Sequence, residues 1–239
     1  MKKAFYTIMV FTFLSTNLYS QKNEWLGKKV KIEQLETRID SFQMIQNDKV
    51  VGHWVWETQI NEDEIIFKDE SVLTGVVNET FILKFDRQKL NTAIVDMKMW
   101  TDADTLKVDI NRTTNKDIKA SFNLSGRSRK KTIVDTIFQK EVVLRAEVFA
   151  LLPSLSNYEN LNESIETFFM DSGKTATMNL KYLGEEEVTV KAGKFNTYKL
   201  SFEGEKQISN IIYLRKDYPR RIIKVEVVGQ PLTIELVKL

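Results

Sequence analysis

Apolar and polar residues alternate along most of the chain from position 53 onward. Trp54, Trp56, Thr58 and Ile60 fall on one side of an extended backbone, and His53, Val55, Glu57 and Gln59 on the other. This is the two-residue period of a strand with one buried face. Phe81, Leu83 and Phe85 alternate with Ile82 and Lys84 in the same way. Leu106, Val108 and Ile110 alternate with Lys107 and Asp109, and Ile118, Ala120, Phe122 and Leu124 with Lys119, Ser121 and Asn123. Turn-forming residues separate these runs at 61–64, 86–89, 101–104, 115–117 and Gly126. Farther on, Gly184, Gly193, Gly204, Asp217 and Gly229 lie 9, 11, 13 and 12 residues apart, the spacing of consecutive hairpins. Parallel crossovers need roughly a dozen residues each, and the chain has no room for them. The pattern predicts a mainly β fold: an antiparallel meander curved into a barrel or half-barrel, with well over a third of the residues in strands. Closing the sheet into a barrel is the route that removes its exposed edges.

Two segments read as short helices. Leu144, Val148, Leu151 and Leu152 recur at helical spacing within 142–152, among good helix formers, and Pro153 follows. Between 27 and 46, Val30, Leu35, Ile39 and Phe42 gather loosely on one side of a second, weaker helix. No linker-like or low-complexity run appears, so 21–239 reads as a single β-rich domain interrupted by helix near 142–152.

The first twenty residues carry a different signal. Lys2 and Lys3 precede an 11-residue apolar stretch from Ala4 to Leu14, then Ser15, Thr16 and Asn17, and Leu18-Tyr19-Ser20 before Gln21. This is the layout of a secretory signal peptide cut after Ser20. The stretch is too short to span a bilayer, which takes roughly 20 apolar residues. Cleavage removes two of the 35 basic residues and leaves 33 of each sign. A neutral mature chain lacks the basic surplus that nucleic acid requires. With no cysteine among the 239 residues, no disulfide staples the fold, and stability rests on the core. The expected location is periplasmic or secreted.

A resemblance covers the C-terminal part, mainly 142–239. The run from Leu183-Gly184-Glu185 through Val188 and Val190 to Ala192-Gly193-Lys194-Phe195-Asn196-Thr197 resembles a hairpin of a family of exported bacterial proteins numbered 3108 among the domains of unknown function. Leu151-Leu152-Pro153, Tyr213-Leu214 with Asp217, Pro219-Arg220-Arg221-Ile222 and Glu235-Leu236 fit the same family, whereas Lys191 stands where proline is commoner. The resemblance implies a curved or barrel-like antiparallel sheet in the envelope and no established activity.

Candidate chemistry is sparse. His53 is the one histidine, so every histidine-based triad rests on it, and no glycine-flanked nucleophilic serine accompanies it. One imidazole without cysteine also argues against a zinc site, and no cofactor motif occurs among the nine glycines. The acids Glu62, Asp63, Glu64, Asp102, Asp104 and Glu185 to Glu187 fall at expected turns, where solvated carboxylates are routine. Arg127, Arg129, Lys130 and Lys131 form a basic run beside Gly126 that reads as a solvated hairpin tip or as a contact for an anionic group. Trp54, Trp56 and Trp100 lie on expected strands and are candidates to line a cavity if the barrel interior is not filled.

Two functions remain open. One is a non-enzymatic envelope protein that binds a lipophilic or glycan-bearing ligand or an envelope partner. The alternative is a carboxylate-dependent hydrolase of envelope polysaccharide, which needs two facing carboxyl groups about 5–10 Å apart in a cleft. On export, N-terminal sequencing of protein from the producing cell is expected to begin at Gln21; an intact Met1 in the cytoplasmic fraction contradicts the leader.

Overall fold

In a computed structural model of the chain, residues 24–238 are described; the expected signal peptide and its cleavage site lie outside them. Strands occupy 64% of the described residues. A small hairpin comes first, β1 (Glu24–Trp25) and β2 (Lys28–Lys29). It is followed by an eight-strand meander: β3 (Arg38–Gln46), β4 (Lys49–Ile60), β5 (Glu64–Leu73), β6 (Val77–Asp86), β7 (Thr92–Trp100), β8 (Asp104–Asn111), β9 (Asp117–Gly126) and β10 (Lys130–Ile137). Next come the short β11 (Val143–Leu144), a helix α1 (Arg145–Leu151) and a 3-10 turn at Leu152–Ser154. A second meander completes the chain: β12 (Asn162–Phe169), β13 (Lys174–Val190), β14 (Gly193–Glu203), β15 (Asn210–Arg215), β16 (Ile222–Val227) and β17 (Leu232–Lys238).

The two meanders join where β17 pairs with β3, Leu232 opposite Gln46 and Leu236 opposite Phe42. One continuous 15-stranded sheet results, with β10 at one edge and β11 at the other. All its pairings are antiparallel except β11 with β12. Among the described residues no backbone ladder closes the sheet, which is a half-barrel. Its ends nevertheless meet through side chains. Phe122 of β9 lies 6.4 Å from Phe168 of β12, centroid to centroid. Gly173, in the turn after β12, lies against the tip of the Phe122 ring, where a Cβ would come within 2.9 Å of Cζ.

The expected alternation sets the inner face. Trp54, Trp56 and Thr58 are buried, as are Phe81, Leu83, Phe85, Val108, Ile110, Ile118, Ala120 and Phe122. Two expectations change. The segment between 27 and 46 is not a helix but a 3-10 turn at Ile32–Gln34 followed by strand β3. Its inward residues are Asp40, Phe42 and Met44 at a period of two, and Ile39 is exposed. Gly184 marks no turn either. It sits inside the 17-residue β13 at a register shift beside Tyr182, with φ of +128°, and relieves a bulge that a side chain would strain.

A curled sheet of this width encloses more space than its own side chains fill, and α1 occupies much of it. Ala146, Val148, Ala150 and Leu151 are buried, and Phe149 stands edge-on to Trp54 at 6.5 Å. The helix is anchored through Glu147 in its first turn. The carboxylate accepts the Leu144 backbone N–H at 2.9 Å, the Thr92 hydroxyl and the Arg112 guanidinium at 2.9 Å. Arg112 also donates to the Val142 carbonyl at 2.6 Å and to the Asp117 carbonyl at 3.3 Å. Both charged side chains are buried, so the pair is tolerable only because each partner is hydrogen-bonded. Beyond the helix, the Tyr158 hydroxyl donates to the Leu152 carbonyl at 2.7 Å and Arg220 to the Leu155 carbonyl at 2.6 Å. The N-terminal hairpin packs there too, with Lys31 N–H donating to the Ser154 carbonyl at 2.7 Å.

Breaking the anchor strands a buried charge. Arg112→Met is expected to cost about 3–5 kcal/mol, and Arg112→Met with Glu147→Leu to recover most of it, as read from urea unfolding midpoints. Equal losses in the single and double variants would deny the pair that role.

Candidate functional site

The helix is short, and the end of the half-barrel beside its first turn stays open as a cavity of about 330 Å³. Its walls come from inward positions of β4, β6 and β7 and from the helix: Trp54, Trp56, Phe81, Met97, Met99 and Phe149. The aromatic rings brace one another. Trp54 stacks on Phe42 at 4.6 Å and meets Trp56 edge-on at 5.5 Å, while Trp56 meets Phe81 edge-on at 5.8 Å. Rings fixed in this way form a rigid wall, whereas the methionines supply adaptable surface.

Polar groups gather in the same cavity: Asp69, Glu79, Arg145, Asp171 and Asn210. Asp69 accepts the Trp54 indole N–H and the Ser71 hydroxyl, the latter at 3.4 Å. Arg145 donates to the Asn210 side-chain oxygen at 2.5 Å. Burial pushes the Asp69 carboxyl well above its ordinary value, with nearby Glu79 adding to the shift. Burial likewise raises Glu79 to about 7, with Asp171 adding and Arg145 opposing. The two acids stand diagonally on adjacent strands, since Glu79 pairs with Ser71 and Asp69 with Phe81. Among the described residues no group of His, Cys, Asp or Glu is arranged to hold a metal ion.

Of the residues singled out in the sequence, Trp54 and Trp56 line this cavity and Trp100 does not. Trp100 follows the inward Met99, so it falls on the outer face, where the Lys98 ammonium sits 4.6 Å from its ring centroid. Arg127, Arg129, Lys130 and Lys131 are exposed around the β9–β10 turn. Strand pairing, with Glu79 opposite Met99, Trp100 opposite Thr105 and Asp104 opposite Gly126, puts that turn at the same end of the sheet as the cavity. His53 is exposed on the outer face, 3.9 Å from Glu70. Of the acids expected at turns, Glu185, Glu186 and Glu187 lie instead within strand β13, because Gly184 forms a bulge and not a turn; they are exposed and paired with Lys216, Lys199 and Lys194. Sequence reasoning missed the cavity acids, although a signal was present. Asp69 is in phase with Ile65 and Phe67, and Glu79 with Phe81, Leu83 and Phe85, so each is an acid on a core face. Arg145 and Asp171 carry no comparable pattern.

The raised acids make stability depend on pH. A carboxyl whose folded pKa lies above its unfolded value binds its proton more tightly when folded, so the stability it contributes is lost as pH rises through the folded pKa. Between pH 5 and pH 8 the urea midpoint is expected to fall. Glu79, moving from 4.5 to about 7, accounts for a loss on the order of 2 kcal/mol after allowance for solvent in the cavity. Glu79→Gln is expected to flatten the profile and to raise stability at pH 8; a parent profile that rises over this range contradicts the assignment.

The sequence matches no curated protein. Among solved structures, a β-barrel-like protein of Brucella abortus from a domain of unknown function, DUF1849, superposes with a TM-score of 0.54 at 9% identity, covering 84% of this chain and 94% of its own. That likeness shows the fold alone. A candidate lipoprotein of Parabacteroides distasonis (TM-score 0.32, 9% identity, 86% of this chain and 95% of its own) and a candidate exported protein of Bacteroides fragilis with a YmcC-like fold (0.29, 10%, 86% and 96%) align more loosely. The profile of the DUF3108 family, described as proteins of unknown function, matches residues 41–237, beginning about a hundred residues before the segment on which the sequence resemblance rests. The chain therefore belongs to the DUF3108 family.

Proposed function

We propose that the protein is an exported, non-enzymatic binding protein that takes the apolar part of a lipophilic molecule into the open end of its half-barrel. The observation that carries this reading is the cavity of about 330 Å³ walled by Trp54, Trp56, Phe81 and Phe149. Its volume and its mixture of apolar walls with a few convergent polar groups are those of small-molecule sites. No helix among the described residues is long and apolar enough to cross a bilayer. The leader and the signs of export in the sequence support delivery across the inner membrane.

Carboxylate-dependent hydrolysis would draw on Asp69 and Glu79, the two acids diagonal to each other in the cavity. Binding is favoured over it on two grounds. The cavity is blocked on one side by α1, so a polymer cannot thread through it, and its walls offer indole, phenyl and thioether surface where a sugar chain needs many hydrogen-bond partners.

Diphenylhexatriene, a neutral apolar fluorophore, is expected to bind saturably with one site per chain and to be displaced by decanol. Ala146 faces the cavity from the helix, and Ala146→Phe would fill it, lowering affinity at least tenfold while the circular dichroism spectrum stays unchanged. Absence of saturable binding by the parent protein sinks the reading.

A further inference from the structure

The polar end of the cavity is unbalanced in charge. Three carboxyl groups, Asp69, Glu79 and Asp171, face a single guanidinium, Arg145, which is already bonded to Asn210. The hydrogen bonds made by the cluster run from Trp54 and Ser71 to Asp69 and from Arg145 to Asn210. Glu79 and Asp171 take part in none of them. Glu79 is half-buried in the cavity wall and Asp171 is exposed beside it, and neither has a hydrogen-bond partner in the cluster. With three carboxyl groups against one guanidinium, a ligand head that supplies positive charge and N–H donors complements this end of the cavity.

We infer that the cavity binds an amphiphile with a protonated amine head, the ammonium lying between Glu79 and Asp171 and the alkyl tail against Trp54, Trp56 and the methionine wall. The inference rests on the cavity-binding reading above and specifies its ligand class. An anionic head would meet three carboxyl groups, and its one cationic partner is engaged. A neutral head would supply no counter-charge to Glu79 once it ionises. An aromatic wall also suits a cation, which is attracted to indole faces.

In the empty site Glu79 is largely protonated below pH 7, and Arg145 offsets Asp171. When R–NH3+ enters, Glu79 gives up its carboxyl proton to solvent, and the two cations, Arg145 and the ammonium, face two carboxylates. Burial pushes the Asp69 carboxyl well above its ordinary value, favouring its protonated form. The groups facing Glu79 are Asp69 from β5, Asp171 from the turn after β12 and Arg145 from α1. No other charged group enters its environment among the described residues of the cavity wall.

The test compares decylamine, decanol and decanoate by isothermal titration calorimetry on the purified protein at pH 6 and pH 8. Decylamine is expected to bind at least tenfold more tightly than decanol at pH 8. Its affinity should rise about tenfold from pH 6 to pH 8, the ratio set by deprotonating a group titrating near 7. Near pH 6 its heat should shift between buffers of different ionisation enthalpy, as release of about one proton requires. Glu79→Gln and, separately, Asp171→Asn, each checked for an unchanged thermal transition, should bring decylamine down to the affinity of decanol. Decanol binding with decylamine no tighter, or decanoate tighter than both, overturns the ligand class and leaves cavity binding intact. If none of the three binds, the cavity reading itself fails.

Discussion

The interior of a sheet this wide has to be filled by something other than the sheet, and the buried Arg112–Glu147 pair decides what fills it. Fifteen strands in one curled layer cannot meet across their own centre, so an unfilled half-barrel would leave its apolar face wet. The chain answers with a seven-residue helix, too short to be stable alone. Glu147 collects the helix N-terminus, the start of β7 and the end of β8 on one carboxylate. Isolated burial of either charge is costly, so the geometry of the pair fixes where the helix sits. The partners of Tyr158 and Arg220 fix the chain beyond it.

The site follows from the shortness of that plug. A longer helix would reach the end of the half-barrel at which β6 starts and β7 ends, and a missing one would let the sheet collapse. The helix present leaves Trp54, Trp56 and Phe149 as the boundary between packed core and open cavity. Acids are tolerated on the inner faces of β5 and β6 because they lie at this boundary. Asp69 is satisfied by Trp54 and Ser71, and Glu79 adjusts by holding its proton to about pH 7. Fold and chemistry are therefore coupled: the residues that end the core begin the site.

Much of the architecture was legible in the sequence because strand alternation is a local signal. Trp54/Trp56/Thr58 and Ile118/Ala120/Phe122 announced their inward faces, and the apolar spacing of Leu144, Val148 and Leu151 with Pro153 marked the plug. The segment before position 46 misled because Val30, Leu35, Ile39 and Phe42 mimic a helical face, whereas the pairing of β3 with both β17 and β4 imposes a period of two. Gly184 misled because a glycine at a bulge and a glycine at a turn look alike in one dimension. Trp100 was one residue out of phase with Met99, a parity that alternation alone does not settle near a strand end. The polar end of the cavity was the least legible part. Arg145, Asp171 and Asn210 come from a helix, a turn and a distant strand, and only the curl of the sheet brings them together.

The central claim, that the half-barrel holds an alkyl chain between its plug and its aromatic wall, is tested most directly by a crystal structure with 10-bromodecanol, collected at the bromine absorption edge. The account predicts one strong anomalous peak inside the space bounded by Trp54, Trp56, Phe81 and Phe149. A cavity closed by those side chains, or bromine found only on the outer surface of the sheet, would contradict it.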